Sequence, residues 1–197
     1  TVNECDLDGL VILVTPKIDK TPVEAAIEAG IPFLVEKPPA LTSEIHKRYL
    51  ESAGDLLHLI AYNRRHAPFM IQAGKWMADS ELQAVQVCFS RFRRREKGFT
   101  STAVHAIDTG RFLAGGDLEY ARLEAVPAGG IFNYYINGHT KEGVHVDIQI
   151  TPDTGLSEER YVMKAAQRTV KISFPQPACF DQVGEAVLYE NNECIEQ

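Results

Sequence analysis

Three groups of residues have the types and spacing to do chemistry. Lys37 lies in Glu36-Lys37-Pro38-Pro39, directly after the apolar run 31–35. A lysine at a strand end, partly desolvated and set beside another positive charge, has its pKa drawn toward neutrality and can exchange a proton with a reacting oxygen. The same lysine reads also as a surface residue in a proline turn. His105 and Asp108 lie three apart in a helix-like segment, so they share one face and the carboxylate could hold the imidazole. The plainer reading is a buried, satisfied histidine beside a helix-surface acid. Arg91, Arg93, Arg94, Arg95 and Lys97 form a basic cluster just ahead of that helix. Most of these suit a solvated sheet edge, while Arg93 and Arg95 could clamp an anionic group such as a carboxylate or phosphate.

Other polar residues carry less. His139, His145 and Asp147 fit the spacing of no common metal site, and no metal is expected. Cys5, Cys88, Cys179 and Cys194 are scattered without a C-x-x-C pair, which points to reduced thiols and a cytoplasmic setting.

The elements that would position these residues fall into two textures. The first third alternates short apolar runs with amphipathic segments, the mark of β–α units on a parallel sheet. Strands are expected at 9–15, 31–35 and 56–61. Between them lie a helix from the cap Thr21-Pro22-Val23-Glu24 to Gly30, and a second over 44–52 capped by Thr42 or Ser43. Beyond Asn63 the spacing predicts a helix over 68–78, an alternating strand over 82–93, and a short helix over 102–113 that stops at Gly115-Gly116. Strand-like runs then follow at turn-delimited intervals, the pattern of an antiparallel sheet. Phe132-Asn133-Tyr134-Tyr135 alternates as one of these strands. The expected fold class is α/β plus α+β: an incomplete Rossmann-type parallel sheet over 1–65, then a domain with a mainly antiparallel open sheet over 66–197.

Composition narrows the partners. A net charge of −7 in 197 residues argues against a nucleic-acid or anionic-membrane binder, despite the basic cluster. The longest apolar stretch, 10–14, is far too short to span a bilayer.

In order and spacing, these motifs resemble the Gfo/Idh/MocA family of glucose–fructose oxidoreductases and inositol dehydrogenases. The run from Asp8 through Thr15-Pro16, then Ala29-Gly30 and Glu36-Lys37-Pro38, is similar to the second half of that family's cofactor domain. Ala61-Tyr62-Asn63-Arg64-Arg65 resembles its passage into the substrate domain, and Thr102 to Asp108 its histidine-bearing helix. The resemblance implies NAD or NADP as cofactor and a hydroxyl or carbonyl of a sugar-like substrate as the reacting group. Lys37 and His105 would act at the substrate oxygen, with Asp108 beside the histidine. Thr15, Pro16, Glu36, Lys37, Pro38 and Asn63 would border the nicotinamide and its ribose. It further implies a cis Lys37–Pro38 bond and a homodimer through the open sheet face. Three features depart from the family, the first being Lys20 where many members carry a histidine after Thr-Pro. Ser101 stands where sugar and inositol dehydrogenases usually carry an aspartate, and no G-x-G-x-x-G occurs, so the glycine-rich half is expected to lie upstream of Thr1 or to have been lost. The alternative is a non-catalytic binding or assembly protein that keeps the sheet without redox chemistry.

Overall fold

The computed structural model describes residues 6–14, 22–94, 100–176 and 184–196, with the side chains of Thr100 and Ser101 left aside. Its contacts divide the chain into two compact units between Tyr62 and Asn63.

The first unit is a three-stranded parallel sheet in the order β1-β2-β3, formed by Leu10–Ile12, Phe33–Val35 and His58–Ile60. The strands run in register, Ile12 beside Val35 beside Ile60, so their carboxyl ends open at a common edge. Helices α1 (Pro22–Ala29) and α2 (Ser43–Ala53) pack on one face through Val23, Ala26 and Tyr49 against Ile12, Phe33 and Val35. Of the two caps the sequence offers, Thr42 or Ser43, it is Thr42 that caps α2, its Oγ1 accepting from the Ile45 N–H at 3.3 Å. The expected cap of α1, Thr21, lies outside the described residues. On the opposite face the row Val11, Leu34 and Leu59 has no helix over it among the described residues, and Val11 and Leu59 are exposed.

The second unit opens with a 3₁₀ turn at Asn63–His66 and α3 (Pro68–Met77), followed by β4 (Leu82–Phe92) and α4 (Thr100–Leu113). The remaining strands are β5 (Leu118–Ala128), β6 (Ile131–Thr140), β7 (His145–Thr154), β8 (Glu158–Ala165), β9 (Arg168–Phe174), β10 (Glu185–Glu190) and β11 (Glu193–Glu196). They form one sheet, β11-β10-β9-β8-β4-β7-β6-β5, antiparallel except for the β4–β7 pair. The anticipated combination of a small parallel sheet and a large, mainly antiparallel one is what the chain forms. The boundary falls three residues earlier than expected, because the side chains of the 3₁₀ turn are tied into the second unit by ion pairs described below.

Strand alternation decides which face is covered. Val85, Val87 and Phe89 of β4, with Val146, Ile148 and Ile150 of β7, face α3 and α4 and are buried, while Gln86, Cys88 and Gln149 lie on the other face. Helix α4 approaches closely because Gly110 has no side chain. A Cβ there would meet Ile148 Cδ1 at 3.2 Å and Val87 Cγ2 at 3.3 Å, so an alanine would require those side chains to give by a few tenths of an ångström.

One titratable group in the first unit links pH to its stability. Burial, and then the neighbouring His58, hold the His46 pKa below its ordinary 6.5. The unfolded chain binds that proton more readily, so this contribution is complete above pH 6.5 and declines as the pH falls from there. Amide exchange in β1–β3, corrected for its intrinsic pH dependence, should therefore show less protection at pH 5.5 than at pH 7. The difference should shrink in His46→Gln; an unchanged slope in the variant would assign the effect elsewhere.

Candidate functional site

A single carboxylate organises the chemistry of the second unit. Glu159 on β8 is 1% exposed and sits opposite Phe89 of β4. Its Oε1 accepts from Arg64 Nη2 at 2.8 Å and from Arg91 Nη2, while its Oε2 accepts from Arg64 Nε at 3.2 Å and from the Tyr161 hydroxyl at 3.1 Å. Four donors fill the acceptor capacity of an ionised carboxylate. Burial by itself pushes the Glu159 pKa up, but the two guanidiniums outweigh it and hold the group below the usual carboxylate range. Tyr161 moves the other way, raised well above its ordinary value by burial and then by the Glu159 charge. Burial lowers the pKa of Arg91, with Glu159 opposing, and its guanidinium lies 3.7 Å from the centre of the Phe89 ring.

Arg64 carries this anchor to the histidine. Its Nη1 donates to Asn63 Oδ1 at 3.0 Å and lies 3.1 Å from His105 Nε2. His105 is buried on α4. Asp108, one turn on and also buried, is gripped bidentately by Arg65, whose Nε donates to Oδ2 at 2.8 Å and whose Nη2 donates to Oδ1. The sequence suggested Asp108 as the holder of the imidazole; the partner shown for its two oxygens is Arg65, and Arg64 is the residue set at Nε2.

The other expected site residues fall as follows. Glu36, Lys37 and Pro38 follow β2 at the common carboxyl edge of the small sheet, and the Glu36 N–H donates to Ile12 O at 2.9 Å. The Glu36 carboxylate accepts from the Lys37 N–H at 3.0 Å, and the Lys37–Pro38 bond is cis. Asn63 joins the Arg64 cluster in the second unit. Arg93 is an exposed turn residue past the end of β4, with a positive φ of 52° and its guanidinium 4.9 Å from the Phe92 ring centre. Thr15, Pro16 and Arg95 lie outside the described residues, as does the Ser101 side chain. His139 stacks on Tyr120, and Asp147 accepts from Asn137 Nδ2 at 3.0 Å, roles of strand residues.

Sequence reading placed Arg91 in a solvated basic cluster. It is 6% exposed, because it continues the inward phase of Val85, Val87 and Phe89. Glu159 shares the inward phase of Tyr161 and Met163 on β8. Charged residues in the apolar phase of two strands were the available signal for this network.

No protein-family model matches the chain. Among curated proteins, inositol 2-dehydrogenase 4 of Saccharopolyspora erythraea is 28% identical over 171 residues, covering 78% of this chain and 51% of that protein. A Gfo/Idh/MocA family oxidoreductase from Vibrio cholerae superposes with a TM-score of 0.81 at 17% identity, over 100% of this chain and 63% of its own. The fold is that of the Gfo/Idh/MocA oxidoreductases. A levoglucosan dehydrogenase, solved with NADH and levoglucosan, has the same fold, with a TM-score of 0.81 at 15% identity over 100% of this chain and 62% of its own. The sequence resemblance to the Gfo/Idh/MocA family is thereby borne out. The chain spans about half the length of the curated relatives it matches.

The burial of Glu159 sets a testable cost. Glu159→Leu would leave Arg91 charged and unmatched in the core, which costs about 3–5 kcal/mol. Urea unfolding of the second unit should show a loss of that order. A loss under about 1 kcal/mol would mean that the pair is far better hydrated than its burial indicates.

Proposed function

We propose that this chain is part of an NAD(P)-dependent oxidoreductase that acts on a hydroxyl or carbonyl of a sugar-like small molecule. The observation that carries the reading is His105, held buried and oriented by Arg64 on a fold shared with a dehydrogenase solved with NADH and levoglucosan. The curated relative named an inositol 2-dehydrogenase supports a polyhydroxylated substrate.

The described residues fit one part of a cofactor site. Parallel strands that end in register, followed by a lysine and a carboxylate, are what the nicotinamide end of a dinucleotide meets at such a sheet edge. Glu36, Pro38 and Asn63 border the nicotinamide and ribose in this reading, with Thr15 and Pro16. The glycine-rich turn that takes the pyrophosphate is not in this sequence. When bound, the cofactor supplies a hydride acceptor or donor. The protein's own task is proton handling: Lys37 orients and polarises the reacting oxygen, His105 exchanges its proton, and the Asp108–Arg65 pair fixes the helix turn that bears the histidine. Arg93 and Arg95 are assigned to an anionic substituent of the substrate. The open face of the large sheet is assigned to a homodimer contact, and the protein to the cytoplasm. Among the described residues no helix is long and apolar enough to cross a membrane.

A non-catalytic role is the second reading, favoured by Ser101 at the position where the resemblance expects an aspartate. Turnover separates the two. The complete protein, carrying a glycine-rich half, should reduce NAD or NADP with a polyol or sugar, and Lys37→Ala should lower kcat by about 10²–10⁴-fold, the range of general acid–base contributions. Turnover that survives Lys37→Ala unchanged would contradict the assigned role, and no turnover across a polyol and sugar panel would favour the binding protein.

A further inference from the structure

Arg64 is bonded on every side. Its Nε and Nη2 are committed to the two oxygens of Glu159, and its Nη1 serves Asn63 Oδ1 and faces His105 Nε2 at 3.1 Å. A guanidinium has five N–H donors, no acceptor, and a charge that it keeps throughout the working pH range. The contact with His105 is therefore a hydrogen bond only when Nε2 is unprotonated, which places the proton of the neutral ring on Nδ1. Arg64 cannot turn away freely, since Glu159 is saturated and buried and holds the fork in both directions.

We propose that Arg64, gripped by Glu159, is a positioning residue that fixes His105 in the Nδ1–H form and keeps its Nε2 lone pair directed at the guanidinium. The inference rests on the oxidoreductase reading for its purpose, though not for its test. A substrate hydroxyl that displaces the Nη1 contact meets an unprotonated Nε2. Its O–H bond breaks toward that nitrogen, the proton passes to the imidazole, and the electron pair stays on oxygen, within reach of the Arg64 charge. Arg64 of the 3₁₀ turn meets the ring and is itself paired with Glu159, which Arg91 and Tyr161 share, while Asp108 on the same helix has its charge matched by Arg65.

The test reads the ring proton directly. Two-bond ¹H–¹⁵N correlation spectra of the ¹⁵N-labelled 197-residue chain distinguish Nδ1–H from Nε2–H imidazole, and His105→Gln identifies the signal among the six histidines. At about pH 8, above the ordinary histidine range, His105 should carry its proton on Nδ1. In Arg64→Met the proton should move to Nε2, the form that free histidine favours. Arg91 and Tyr161 still hold Glu159 in that variant, and Arg64→Leu, which likewise offers no donor to Nε2, serves if methionine disturbs the fold. An Nε2–H ring in the unsubstituted chain, or an Nδ1–H ring retained in a folded Arg64 variant, would overturn the proposal. Because no turnover is measured, a failure of the oxidoreductase reading would appear only in activity assays.

Discussion

The second unit depends on one buried negative charge and the arginines that must accompany it. A carboxylate taken out of water costs several kcal/mol unless every lone pair is met. Glu159 meets this requirement with donors from three separate places: Arg64 on the 3₁₀ turn, Arg91 on β4 and Tyr161 two residues along β8. The turn that begins the unit is thereby pinned to the middle of the large sheet, and Arg64 is brought to His105. Arg65, the next residue, closes on Asp108 of the same helix. Two consecutive arginines thus hold a single helix turn, Arg64 through His105 and Arg65 through Asp108. An ion cluster of this kind is poor evidence for stability, since apolar replacements of similar volume often match it. Its value lies in fixing donors and acceptors in one arrangement.

The first unit follows a different constraint. Its three strands are short, and their helices lie on one face, so half of the sheet surface remains uncovered among the described residues. Parallel sheets of α/β proteins are as a rule covered on both faces. The apolar row Val11, Leu34 and Leu59 is the kind of surface that further α/β structure covers, in keeping with a chain that spans about half of its curated relatives.

Local signals were readable where the physics is local. The alternation of strand and helix, the Thr42 cap and the inward phase of β4 follow from residue type and a spacing of a few residues. Lys37 and His105 stood out through motif order. Arg64, Arg91, Glu159 and Tyr161 did not, because their meeting joins positions 95 and 68 apart in the chain and depends on the β4–β8 pairing, which no local pattern specifies. The misreading of Arg91 has the same origin. Beside four more basic residues it looks solvated, yet strand alternation sends it inward while Arg93, past the strand end, turns outward. Asp108 was expected to serve the imidazole because both lie on one helix face, and a guanidinium from outside that helix now holds its oxygens.

The Arg64–Glu159–Arg91 cluster thus serves the proposed site rather than the fold. The most direct measurement is made on the complete protein, assayed for the proposed NAD(P)-linked turnover while carrying Arg64→Met, Arg91→Met and Glu159→Leu together, with thermal unfolding recorded on the same sample. The account predicts a folded protein of near-unchanged Tm whose kcat falls by about 10²-fold or more. Wild-type turnover, or a variant that no longer folds, would contradict it: the first would leave the cluster without a part in the chemistry, and the second would make it a structural necessity.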